Sequence, residues 1–351
     1  MTNHYDEVIV IVCMTEDRYD EVLPNGVRAI GLGQHSGRFA RTAIEALRAV
    51  QPSHLIISFL MPSIILWALL QKFRISVMFS NSYLTPHRLR SRIKAWLVAK
   101  VLNNPKVHWV GVYGANAARS FERIGVNPTK IIPWDYLHET DPKIFQPVTL
   151  SDNSPKRLIF IGRMIRDKGL PDLLRAVKTL KDTPYSVEVT LVGLDENGEI
   201  ENIARQEGVL EQTHFAGIIP TDELEDFIRE FDAVTVPSRR DCPEGYPLVI
   251  FHALKARVPV IASDHPIFVQ SLKHREEVVM FEAQNPLSLA QAIQDLFSDA
   301  DLYENISNAA EAVVRALPLN VHSREFIENC FDQVGEGHTL MATNALVPKL
   351  R

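Results

Sequence analysis

Two stretches of this sequence gather residue types that can handle an anion and a polyhydroxylated ligand. In GRMIRDKG (162–169), Arg163 and Lys168 lie five apart on a glycine-flanked turn. A diphosphate needs fixed cations and a backbone that can be approached closely; the other reading is a solvated turn with incidental charges. The second stretch is PEGYPLVIFHAL, from Pro243 to Leu254. Pro247 suits the first turn of a helix, and Gly245 permits close approach just ahead of it. The free N–H groups and positive dipole end of such a helix would face an anion. Glu244, at its mouth, either complements the dipole or accepts hydrogen bonds from sugar hydroxyls. His252 lies one turn beyond Leu248 on the same face, as a satisfied core residue or as a ligand contact.

The elements that must position these residues alternate between strand and helix. RLIFIG, SVEVTLVG, THFAG, DAVTVPS, VPVIAS and EVVMF read as strands, with helical spacing over 170–181, 198–206 and 286–297. Near-continuous apolar strands between helices imply a parallel sheet covered on both faces. The first half repeats the pattern less regularly: EVIVIVC, VRAIGLG, HLIISFL, ISVMFS, VHWVGVY and TKIIPW as strands, with helices over 36–49, 62–72, 88–102 and 114–124. Length and pattern predict two α/β domains, 1–148 and 149–334. A Pro- and Ser-rich linker lies within 142–157, the last helix could cross back to the first domain, and 335–351 is a loose tail. In open α/β sheets ligands bind beyond the carboxyl ends of the strands, where both stretches fall.

Taken in order, GRMIRDKG, LVG (191–193), FAG (215–217) and PEGYPLVIFHALKARVPVIAS resemble the retaining family 4 glycosyltransferases of GT-B fold. The resemblance covers residues 155–300 well and the first half loosely, through strand order and RSFERIGVNPTKIIP. It implies two Rossmann-like doubly wound domains with a cleft between them. It also implies that Arg163 and Lys168 grip the diphosphate of a nucleotide-sugar donor. Glu244 corresponds to the first acid of a Glu-(x7)-Glu pair near the transferred sugar. Gly245, Tyr246, Pro247 and Leu248 correspond to the loop facing sugar and phosphate, and Gly193, Phe215 and Gly217 line the nucleotide pocket. Three departures stand out. The second acid of the pair is His252 here, and neutral imidazole accepts one bond and donates one where a carboxylate could accept from two hydroxyls. Against the family pattern the alignment starts late, and the first strand and its Gly-rich loop are expected to be missing. His87, in SNSYLTPHRLR, stands where the family often places a histidine.

The net charge of −6 conceals an asymmetry: +6 over residues 1–148 and −12 over the remainder. From Ala46 to Phe121 there are ten Lys or Arg and no Asp or Glu. An anionic partner for the first half follows. HRLRSRIKAWLVAKVL puts Leu89, Ile93, Trp96, Leu97 and Val101 on one helical face among cations. Residues 88–102 therefore read either as an anionic-membrane element or as a helix packed on the sheet with solvated charges. Aromatics are not interleaved as stacking platforms, which argues against nucleic acid. The only Asp-x-Asp, Asp299 and Asp301, reads as a solvated turn, so no metal and no cofactor are predicted. Three scattered cysteines and an N-terminus without a basic n-region or long apolar run predict a cytoplasmic protein, peripheral to the membrane at most.

The functional expectation is transfer of a sugar from a nucleotide-sugar to a glycan or lipid-linked acceptor in polysaccharide or glycolipid synthesis. Two rivals remain: a catalytically weak homologue acting as a partner subunit, supported by His252 and the late start, and a nucleotide-sugar epimerase that needs no acceptor.

Overall fold

A computed structural model describes residues 6–13, 15, 17–33, 39–83, 89–136, 145–245, 248–317, 319–332 and 334–347. The chain divides into two compact units: Met1–Tyr136 with Leu319–Arg351, and Leu137–Pro318.

The first unit runs β1 (Ile9–Val12), β2 (Arg18–Val22), β3 (Arg28–Leu32), α1 (Phe39–Val50), β4 (His54–Ile57), α2 (Pro62–Leu69), β5 (Arg74–Phe79), α3 (Leu89–Leu102), β6 (Val107–Tyr113), α4 (Ala115–Arg123) and β7 (Ile131–Trp134). Strands β4-β5-β6-β7 form a parallel sheet whose β5 and β6 are nearly continuous apolar runs, as a sheet covered on both faces requires. A separate three-stranded sheet has the order β1-β3-β2, with β2 antiparallel to β3. RYDEV at β2 was not foreseen: all five residues are exposed, so it carries no core-facing alternation.

The second unit runs β8 (Lys156–Ile161), α5 (Leu170–Leu180), β9 (Val187–Val192), α6 (Glu199–Glu207), β10 (Thr213–Gly217), α7 (Leu224–Ile228), β11 (Ala233–Val236), α8 (Leu248–Ala256), β12 (Val260–Ser263), β13 (Val279–Phe281), α9 (Pro286–Ser298) and α10 (Ala300–Ala316). Its sheet is parallel throughout, in the order β10-β9-β8-β11-β12-β13. That is the doubly wound order, with the direction of winding reversing between β8 and β11. Alternate residues of β8 feed opposite layers: Leu158 and Phe160 pack with α5, α6 and α9, and Ile159 packs with α7 and α8. Asn285 and Asp299 cap α9 and α10 by accepting from Ser288 and Leu302 N–H.

The boundaries differ from those expected at 148 and 334. Residues 145–150 pack with the second unit: Val148 N–H donates to Ser307 Oγ at 2.9 Å, and Phe145 N–H to the Lys255 carbonyl at 3.0 Å. The chain then returns to the first unit as α11 (Ser323–Asn329) and α12 (Gly335–Asn344). Asp135, at the end of β7, holds this return: its carboxylate accepts from Leu319 N–H at 2.5 Å and pairs with His322 Nδ1 at 2.9 Å. The expected loose tail is corrected by α12, whose Met341 is buried, and by Leu346, whose N–H bonds the Ile131 carbonyl at 2.9 Å.

Candidate active site

The site of the second unit is built where its sheet reverses. After β8 the chain turns through Gly162–Ile165 into a 3-10 turn, Arg166–Lys168, and then α5. After β11 it runs through Pro237–Gly245 toward α8. Gly169 joins the two loops. It has φ 76°, and a Cβ there would lie 1.8 Å from the Pro237 carbonyl oxygen, so only glycine lets the backbones meet. Arg239 N–H donates to the Asp167 carbonyl at 3.0 Å, a second tie between them.

Lys168 and Glu244 meet across this junction: Nζ lies 2.6 Å from Oε1. Ser238 Oγ donates to the same oxygen at 2.5 Å, and Cys242 Sγ lies 3.6 Å from it. Oε2 takes no hydrogen bond among the described residues. Burial pushes the Glu244 carboxyl up, but Lys168 and the bonds from Lys168 and Ser238 outweigh it and leave it below the ordinary value. The Cys242 thiol, buried beside that carboxylate, is pushed up to about 12, so it stays protonated and donates. Behind it sits fully buried His265, after β12. Its Nδ1 accepts from Ile267 N–H at 3.2 Å, so Nε2 carries the proton and donates to the Cys242 carbonyl at 3.0 Å. Burial holds that imidazole below its ordinary pKa, in keeping with this neutral tautomer.

A cavity of about 400 Å³ opens on the β8 side, lined by Gly162, Arg163, Gly193, Asp195, Glu199 and Ile218 among others. Gly193, with φ 141°, shapes its floor: a Cβ would fall 2.0 Å from the Gly162 carbonyl oxygen. Gly217 holds that floor by accepting from Gly193 N–H at 2.7 Å. Asp195 caps α6, accepting from Ile200 and Glu201 N–H at 2.9 Å. Glu199 pairs with Arg166 at 2.5 Å. Arg163 is exposed on the rim and has no ion pair or side-chain hydrogen bond among the described residues.

Of the residues predicted from sequence, Lys168 and Glu244 are joined directly, Arg163 and Gly193 line the cavity, and Gly217 supports it. Phe215 is exposed and lies outside the cavity lining. Gly245 is buried beside Glu244, and half-buried Leu248 opens α8 and packs on its core. Tyr246, Pro247 and His87 lie outside the described residues. His252 faces α7: its Nδ1 lies 3.0 Å from Glu225 Oε1, which Lys255 Nζ also reaches at 2.8 Å. The bond to a carboxylate places the proton on Nδ1 and leaves Nε2 an acceptor when the ring is neutral. Ser238, Cys242, His265 and Glu225 were not singled out. Ser238 and His265 follow strand ends and could have been found by the strand-end rule alone. Asp299 caps α10 and lies 3.4 Å from Arg275, and among the described residues no cluster of three His, Cys, Asp or Glu is placed to hold a metal.

Residues 142–313 match the family model of glycosyl transferases group 1. The putative teichuronic acid biosynthesis glycosyltransferase TuaC of Bacillus subtilis is 28% identical over 170 residues, 46% of this chain and 40% of that protein. The chain spans about half, or less, of the length of the curated relatives it matches. In fold it is similar to sucrose-phosphate synthase of Thermosynechococcus elongatus, with TM-score 0.67 and 19% identity over 89% of this chain and 84% of that one. Anabaena HepE, solved with UDP-glucose, has TM-score 0.63 and 14% identity over 83% and 81% of the two chains. The architecture is thus the GT-B α/β class of these enzymes. Residues 142–313, just under half of the chain, are thus similar to the glycosyl transferases group 1.

Proposed function

We propose that this protein transfers a sugar from a nucleotide-sugar to a glycan or lipid-linked acceptor, with retention of configuration, in the building of a surface polysaccharide or glycolipid. The observation that carries the reading is the Lys168–Glu244 pair, 2.6 Å long and set at the sheet's point of reversal, its lysine on the same loop after β8 as Arg163, which rims the cavity. The polysaccharide context rests on relatives such as TuaC, and the HepE complex makes a UDP-sugar the first donor to try.

The bond between the sugar's anomeric carbon and the diphosphate oxygen breaks while the acceptor hydroxyl forms its bond on the same face. The hydroxyl proton passes to the departing phosphate oxygen. Arg163 and Lys168 supply positive charge where the leaving diphosphate gains negative charge, so no resident metal is required. The chain's Gly162 and Gly193 let backbone approach the donor closely. Glu244 keeps one oxygen on Lys168 and Ser238 and offers Oε2 to a sugar hydroxyl. His252 offers Nε2 as a single acceptor to the nucleotide ribose, where the family pattern carries an acid.

The test is nucleoside diphosphate release from UDP- and GDP-sugars in the presence of an acceptor pool. Arg163→Ala should lower turnover by about 10²–10³-fold, the usual effect of losing one charge-stabilising group. Wild-type turnover in Arg163→Ala/Lys168→Ala would sink the assignment. Absence of any nucleotide binding would favour a partner subunit, and an isomerised donor without acceptor would identify an epimerase.

A further inference from the structure

Helix α3 is packed the reverse way from an ordinary amphipathic helix. It buries a narrow face of small residues, Ala95, Val98 and Ala99, with Leu102. Its large apolar residues face outward: Leu89, Ile93, Trp96 and Leu97 are 72%, 52%, 58% and 50% exposed. At 100° per residue these four share one face, opposite the buried one. Neighbouring α2 buries Ile64, Ile65 and Ala68, and leaves Leu66 and Leu70 exposed one turn apart. So many large apolar side chains in water mark a contact surface.

The charges around this face specify its partner. Arg90, Arg92, Lys94 and Lys100 of α3 are all exposed, and none has an acid partner among the described residues. Arg92 falls on one flank of the apolar stripe, with Arg90 and Lys94 on the other. Lys100 Nζ lies 5.1 Å from the Trp96 ring centre. No Asp or Glu occurs between Ala46 and Phe121, so the surrounding sequence supplies no local counter-charge. A second copy of this face would bring like charges together across a two-fold axis. An anionic lipid surface meets both features, since cations reach its phosphates while Trp and Leu enter the acyl boundary.

We propose that α3, with α2 beside it, docks the protein on an anionic membrane leaflet. Leu89, Ile93, Trp96 and Leu97 insert, and Arg90, Arg92, Lys94 and Lys100 hold lipid phosphates. Among the described residues no helix is long and apolar enough to cross a membrane, so this attachment is peripheral.

The experiment is flotation of the full chain with vesicles of phosphatidylcholine alone or mixed with phosphatidylglycerol. Binding is expected only to the mixed vesicles, and it should weaken as salt rises from about 0.1 to about 0.5 M. Arg90→Glu/Arg92→Glu/Lys94→Glu should lower the affinity at least about a hundredfold. Ile93→Glu/Leu97→Glu should abolish binding. All five positions are exposed, and unchanged thermal unfolding verifies that the variants remain folded. Equal binding to both vesicle types, or unaltered binding by either variant, overturns the proposal. So does failure to bind vesicles together with a dimer in solution that Ile93→Glu/Leu97→Glu dissociates, because the surface would then belong to a second copy.

Discussion

At the residue scale, the two cations predicted to grip a diphosphate differ in what else they do. Arg163 stands on the cavity rim without a partner among the described residues, so Arg163→Ala should change stability by less than about 0.5 kcal/mol. Lys168 is the counter-ion of a buried carboxylate. Removing one partner of such a pair strands the other, at about 3–5 kcal/mol. Lys168→Met should fall near the lower end, because the Lys168 side chain keeps 20% exposure. Chemical denaturation of the two variants separates the roles, and adding Glu244→Gln to Lys168→Met should recover part of the loss. The sequence identified both cations and the acid by type and strand-end position. It could not show that Lys168 and Glu244 satisfy one another, because they come from loops on either side of the sheet's reversal. His252 illustrates the same limit. Its spacing after Glu244 was visible, but its tie to Glu225 joins two helices, and helical periodicity does not reveal such a pairing. His252→Ala should weaken nucleotide binding measured by calorimetry without altering fold. Unchanged affinity would remove His252 from the donor site.

At the element scale, long apolar strands and helices with strong spacing were legible, and the weakly patterned ones were not. Strand β2 is charged and wholly exposed, and α12 begins Gly-Glu-Gly and buries little beyond Gly337 and Met341. Their existence depends on neighbours: β2 on the edge of β3, and α12 on α11. Gly169 was legible only as a turn residue. Its tight contact with Pro237 makes it the residue on which the two site loops converge. Gly169→Ala should cost more than about 3 kcal/mol, from steric overlap together with an unfavourable positive φ, and should lower soluble yield. The same substitution at Gly198, which has nothing within 4 Å, retains only the backbone penalty of about 1 kcal/mol. Comparing the two by thermal unfolding isolates the contact.

At the scale of the whole molecule, the opposed charges of the two halves and a last helix that could cross back were visible in the sequence, and the bonds that hold the returning segment were not. Asp135, with its bonds to Leu319 and His322, and Ile131, whose carbonyl accepts from Leu346 N–H, hold the last segment on the first unit. Electrostatics also set the response of the second unit to acid. Burial would raise the Glu225 carboxyl, but His252 and Lys255 hold it down to about 2, against an ordinary 4.5. Glu244 is shifted in the same direction. Carboxylates lowered by folding stabilise the native state above their ordinary pKa, and that stability is lost as pH falls through the folded value. Melting temperature should therefore drop between pH 4.5 and about 2, and Glu225→Gln should flatten that drop.

The strand order of the second unit has a kinetic consequence. Lys168 follows β8 and Glu244 follows β11, and these strands are neighbours in the sheet although β9 and β10 intervene in the chain. The first of the two halves can assemble from contacts between consecutive strands, whereas the β8–β11 seam requires closure of a long loop. The ion pair can form only after that seam closes. Glu244→Gln should therefore accelerate unfolding while leaving the refolding rate nearly unchanged, and stopped-flow traces of the two limbs would read the pair as a late clasp on an already assembled sheet.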